Sequence, residues 1–267
     1  MMRHLVFLVL VVGGPVAAQN LGPLSATPDH LRRYIDCMDL ARRDPLRALP
    51  AAEKWMGEGG GLGARHCVAI AMFEGGKHLQ AALQIEAIAR DMGKERPGLR
   101  AELYGQAGQA WMEAGQAENA AAALSKALDL KGDDPDLWID RGLAFAAIRA
   151  WPRAISDFDR ALTLRSKDVE TIILRAAAWR NAGDAARALA DAQYALRVAP
   201  EHSEALLERG FAFLLRGDRT AANADFTKVL LLVPPGTNAA RRAEAGLRGE
   251  TPPPVTLAPA AKGDGKR

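Results

Sequence analysis

The chain of 267 residues is long enough for one large domain or two small ones. Its apolar fraction of 49% supports a sizeable core, yet only 6% of residues are aromatic and alanine supplies much of the rest, which favours closely packed helices. The charged fraction of 25% is ordinary and the formal net charge of +3 is small, which speaks against a nucleic-acid partner, since that would need Lys and Arg concentrated on one face.

The N-terminus reads as a signal peptide over residues 1–18. MMRH supplies positive charge, LVFLVLVVGG an apolar run, and PVAAQ a small-residue cleavage site, with Val16 and Ala18 at the −3 and −1 positions. Cleavage after Ala18 leaves Gln19 first. The apolar run is too short for a bilayer-spanning helix and no second candidate appears downstream, so no membrane span is expected. No cysteine stands just after the cut to carry a lipid. The expectation is an exported, soluble protein, periplasmic before fully secreted. Cys37 and Cys67 are the two cysteines, and an even count in an oxidising compartment points first to a disulfide. A metal site would have to recruit His66 or His30, and no pair has zinc-finger spacing. No C-x-x-C-H occurs for covalent haem.

Residues 19–100 form an irregular helical region. DHLRRYIDCMDLARR and PLRALPAAEKWM read as a first helix pair. A second starts near Leu62 and carries Ala69, Met72, Gly76, Ala81, Ile85 and Ile88, with a five-residue excess after it around KERPG. Between the pairs, GGGLGA at 59–64 matches G-x-G-x-x-A. A dinucleotide site needs a strand before those glycines, whereas AAEKWMGE before them is helical, so an inter-helix loop is the reading.

From residue 101 to 236 the chain repeats with a step of 34. Gly108, Gly142, Ala176 and Gly210 are in register. So are Trp111, Phe145, Trp179 and Phe213, then Ala120, Ala154, Ala188 and Ala222, then Ala127, Ala161, Ala195 and Val229. Pro200 and Pro234 close two units where Gly132 and Ser166 close the others. TNAARRAEAGLR, within 237–249, reads as a capping helix. Residues 250–267 are rich in Pro and Gly with almost no large apolar side chain, which predicts disorder.

This fourfold pattern resembles the tetratricopeptide-repeat family, whose unit runs W-x2-L-G-x2-Y, then A-x3-F, then P. Trp138, Gly142, Phe145, Ala154, Phe158 and Ala161 fit it position by position. The resemblance implies an all-α, right-handed superhelical solenoid of helix–turn–helix units, with atypical units at the ends. Pro152 and Pro45 stand where second helices would begin, and Gly115, Gly183 and Gly217 where first helices would end in a left-handed residue. The family's Leu is replaced by Arg141, Arg175 and Arg209, and sixteen residues later in each unit stands Asp157, Asp191 or Asp225. The unit with Ala107 has Ala123. Joint presence and absence predicts Arg–Asp pairs between the two helices of a unit rather than a charged ligand ladder.

Catalytic patterns are lacking. No G-K-[ST], G-x-S-x-G or H-E-x-x-H occurs, His30, His66, His78 and His202 are scattered, and the pair Asp133 and Asp134 reads as helix N-terminal charge. A binding protein without cofactor or metal is expected rather than an enzyme. The family resemblance places a concave groove on the first helices, which maps here onto Gln109, Met112, Ile139, Leu143, Ile173, Ala177, Arg180, Leu207 and Phe211, edged by Glu102, Asp136, Glu170 and Glu204. The family's Lys and Asn clamp for a terminal carboxylate is not present at the matching positions. An apolar floor suits a protein or peptide with spaced hydrophobic anchors. The expected function is a scaffold or adaptor in cell-envelope complexes, with a holdase-like chaperone as the alternative. The resemblance also places Cys37 and Cys67 on the first helices of neighbouring units, side by side.

Overall fold

The structure is a computed structural model that describes residues 27–250. The signal-peptide reading over 1–18 and nearly all of the Pro-rich tail lie outside the described residues. Thirteen helices fill the described residues, and no strand occurs among them: α1 (Pro28–Arg43), α2 (Pro45–Gly57), α3 (Gly61–Glu74), α4 (His78–Asp91), α5 (Pro97–Glu113), α6 (Ala117–Leu130), α7 (Pro135–Ala147), α8 (Trp151–Leu164), α9 (Val169–Asn181), α10 (Ala185–Val198), α11 (Ser203–Leu215), α12 (Arg219–Leu232) and α13 (Asn238–Leu247). None of them is long and apolar enough to cross a membrane. The chain divides into two compact units within α5, between Ala110 and Trp111.

Local chemistry sets the helix boundaries. Asp44, Asp184 and Asp218 each accept a backbone N–H three residues ahead, from Arg47, Arg187 and Ala221 at 3.2, 2.9 and 3.0 Å. Pro45 and Pro152 occupy the first turns of α2 and α8, where a missing N–H leaves no bond unmade. Between paired helices the chain reverses through a left-handed residue, at φ 71° for Gly115, 88° for Gly183 and 81° for Gly217. The α7–α8 turn uses Arg149 at φ 58° in the same register. Of GGGLGA only Gly59 and Gly60 lie in the turn between two helices, while residues 61–64 already form the first turn of α3, with Gly59 and Gly61 at positive φ and α2 rather than a strand before them.

In the first unit, α1 and α3 are joined by a disulfide between Cys37 and Cys67, whose Cα atoms are 6.1 Å apart. One turn away, the Tyr34 hydroxyl lies 2.8 Å from His66 Nδ1, and His66 Nε2 lies 2.7 Å from Gln106 Oε1. The amide oxygen only accepts, so Nε2 carries the proton and Nδ1 accepts from the tyrosine. The chain of bonds ties α1, α3 and α5 together, with Tyr34 and His66 buried and Gln106 half-buried. Burial keeps the imidazole neutral, lowering its pKa to about 4, and raises that of the Tyr34 hydroxyl above its ordinary value.

In the second unit, a glycine faces an aromatic ring across the α7–α8 and α11–α12 pairs. A Cβ added at Gly142 would stand 2.6 Å from the Phe158 ring, and one at Gly210 would meet the Phe226 ring at 2.6 Å. The α9–α10 pair has buried alanines, Ala176 and Ala192, in both places. Beside these contacts runs the Arg–Asp series. Arg141, Arg175 and Arg209 each make two hydrogen bonds to the carboxylate of Asp157, Asp191 and Asp225, at 2.6 to 2.8 Å. Two of them also reach the preceding pair, Arg141 to the Ser125 hydroxyl at 3.1 Å and Arg175 to Asp159 at 2.6 Å. The arginines therefore join helices within a pair and pairs to each other, using partners supplied by the chain itself.

Candidate functional site

The helix positions matched to a groove fall into two groups in the second unit. Ile139, Leu143 and Ala177, with Met112 on α5, are half-buried and keep part of their surface. Ile173 is 6% exposed, Arg180 8%, and Leu207 and Phe211 0%, so these four offer almost no surface to a ligand. At the end of the array the cause is the last helix. Leu207 and Phe211 on α11 belong to one core cluster with Ala243, and Leu247 packs against it, so α13 covers them. Gln109 is exposed and belongs to the first unit.

Charge closes the same end. Arg180 Nε donates to Glu208 at 2.7 Å, and Arg242 on α13 donates to both Glu208 and Glu204. The guanidinium carbons of Arg180 and Arg242 lie 5.4 and 5.8 Å from the Phe211 ring centroid. The acidic edge is likewise neutralised by neighbours. Asp136 accepts two hydrogen bonds from Arg165, at 2.9 and 3.2 Å, and Glu170 pairs with His202 at 2.8 Å. That hydrogen bond lowers the Glu170 pKa and raises that of His202. His202 Nδ1 also accepts the Ala205 N–H at 3.4 Å as the cap of α11.

What stays open is an apolar pocket of about 50 Å³ between α7, α8 and α9. Leu143, Ala146, Trp151, Leu174 and Ala177 line it, with Asn181 as its polar residue. Two of its residues, Leu143 and Ala177, are among those mapped to the groove. Trp151 and Leu174 are not. Trp151 stands at the first position of α8, and its signal in the sequence is a Trp-Pro at a helix start, which reads equally as a boundary. A volume of this size takes one small aliphatic group. Among the described residues no group of three or more His, Cys, Asp and Glu is placed to hold a metal ion.

No protein-family model matches the sequence, and a search of curated proteins finds no match. Solved structures do match in fold. A tetratricopeptide repeat protein from Parabacteroides merdae is 16% identical, with a TM-score of 0.66 over 82% of this chain and 90% of that one. MamA from Desulfovibrio magneticus is 19% identical, with a TM-score of 0.58 over 64% of this chain and 94% of its own. YrrB, a TPR protein with an unusual peptide-binding site, is 18% identical, with a TM-score of 0.55 over 68% of this chain and 91% of that one. Helix pairs in consecutive contact, glycine-to-aromatic packing inside the α7–α8 and α11–α12 pairs and this likeness lead to one conclusion: the chain has the tetratricopeptide-repeat fold.

Proposed function

We propose that this protein is a non-catalytic scaffold that docks a protein or peptide partner through the first-helix face of its second unit. The observation that carries the reading is the apolar pocket between α7, α8 and α9, the open part of a face whose other end is closed by α13. Ile139, Leu143 and Ala177 offer the partner an apolar floor, and the pocket takes one aliphatic anchor side chain. Affinity at such places comes mainly from a few water-excluded contacts. That YrrB has a peptide-binding site supports the same use of this fold here. Export to the periplasm, with a role in cell-envelope complexes, is part of the proposal. The disulfide supports it, because such bonds persist in oxidising compartments.

The test is Ala177→Arg, which puts a long charged side chain at the pocket from a half-buried position. Mature protein and variant are used to capture partners from an envelope extract, and both are melted by circular dichroism. One stoichiometric partner, lost by the variant at unchanged melting temperature, is the expected result. Equal capture by both proteins would place docking elsewhere. Many unrelated clients in place of one partner would speak for the holdase function.

A further inference from the structure

The α7–α8 pair presents a second feature outside the pocket, built around Arg141 of the Arg–Asp series. On α7, Trp138, Arg141 and Phe145 share one stripe, different from the one holding Ile139, Leu143 and Ala146. On α8, Arg153 and Arg160 are exposed and seven residues apart, which sets them about 10 Å apart on one face. The antiparallel pairing brings the two rows together. The Arg160 guanidinium lies 6.0 Å from the Trp138 ring and that of Arg153 5.4 Å from the Phe145 ring. Arg141 stands between, 4.9 Å from Trp138 and 5.7 Å from Phe145.

This platform is held from below. Trp138 Nε1 donates to the Gly132 carbonyl at 2.9 Å, and Arg141 is fixed by its two bonds to Asp157. Arg153 and Arg160 have no carboxylate partner among the described residues, unlike Arg141, Arg165, Arg175 and Arg209. A guanidinium resting on a ring keeps its N–H edge free, and that edge is a planar fork fitted to a carboxylate. Being braced already, it loses little rotamer freedom when a ligand arrives.

We propose that this ring-braced arginine pair is a docking surface for an acidic helix of a protein partner, each guanidinium receiving one carboxylate, with the two acids two helical turns apart. Acids at i and i+7 of a helix share a face and the same spacing of about 10 Å. Two forks are too few for a nucleic-acid backbone, where binding rests on about 6–10 phosphate contacts, and fewer than the roughly 4–8 basic residues of anionic-lipid clusters. The surface is independent of the groove pocket.

The probe is a synthetic Ala- and Gln-based helical peptide with Glu at i and i+7, beside a control with the second Glu at i+5. Titration is tracked by NMR at the Trp138 indole N–H and the arginine Nε–H signals of the whole protein. The i, i+7 peptide should shift these signals, with binding about tenfold weaker for the control peptide and for Arg153→Glu/Arg160→Glu. Arg153→Lys/Arg160→Lys, which keeps the charge and loses the fork, should weaken it comparably. All substituted side chains are exposed, and circular dichroism checks that the variants stay folded. Undiminished binding by the Lys variant, equal binding of the control peptide, no shift at all, or tighter binding of phosphatidylserine vesicles or single-stranded DNA would each overturn the proposal.

Discussion

Arg175 touches three helices. It grips Asp191 on α10 with two hydrogen bonds from α9, and its remaining terminal nitrogen reaches Asp159 on α8. The Asp191 bond is the main reason its pKa is raised. Its side chain is 23% exposed and that of Asp191 14%, so losing one partner leaves the other in a place that water reaches poorly. Arg175→Ala should therefore destabilise by about 2–3 kcal/mol. Arg175→Ala/Asp191→Ala should recover part of that loss, as the unit with Ala107 and Ala123 already does without the pair. Denaturant unfolding of the four-member cycle measures the coupling, and a double variant equal to the sum of the singles would contradict it. This pair was legible in the sequence because its offset recurs and disappears jointly. The bond to Asp159 was not, because the neighbouring units offer Ser125 and Gln193 in that register and no pattern forms.

Paired helices meet at turns that need a left-handed residue, and at the α7–α8 turn that residue is Arg149. A side chain with Cβ is strained there by about 1–2 kcal/mol, partly offset by the greater unfolded-state freedom of glycine. Arg149→Gly should raise stability by about 0.5–1 kcal/mol, read as a higher melting temperature, and a lower one would contradict this reading of the turn. The helices of the first unit meet through the Tyr34–His66–Gln106 chain, which responds to acid. Unfolded histidine binds its proton near pH 6.5, whereas in the folded protein this requires a pH of about 4. The unfolded chain thus holds more protons between those values. The stability contributed by neutral His66 is complete above pH 6.5 and falls as pH drops towards 4. Melting of wild type and His66→Gln over that range should show their difference narrowing with acid, and a difference independent of pH would argue against a neutral buried ring. In the sequence His66 is one scattered histidine among several, because nothing local marks which helix face ends up enclosed by two others.

Over the whole molecule, stability in stacked helix pairs is close to a sum of local and nearest-neighbour contributions. The Cys37–Cys67 bridge closes a separation of 30 residues. In the chain-entropy account this stabilises by about 3–4 kcal/mol. Reduction should therefore speed amide hydrogen exchange in α1 to α4 and leave α9 to α12 protected as before. An equal loss of protection in all helices would mean one cooperative unit instead.

Sequence alone determined the repeat and its length, the helix pairs, the turn glycines and the in-cis arginine partners. Each of these is a short-range or periodic property, and a periodic signal accumulates over four copies. The disulfide was legible too, from two cysteines behind a signal-peptide reading and from the family resemblance, which implies neighbouring first helices side by side. Tertiary structure decided which groove positions are open. Ile139, Leu143, Ile173, Ala177, Leu207 and Phe211 are equivalent by helical period, but period reports only which face of a helix a residue occupies. Whether that face meets water depends on the next element to arrive. Here α13, with Ala243 packed beside Leu207 and Phe211 and Arg242 spanning Glu204 and Glu208, closes one end, while Trp151 at the start of α8 shapes the pocket at the other.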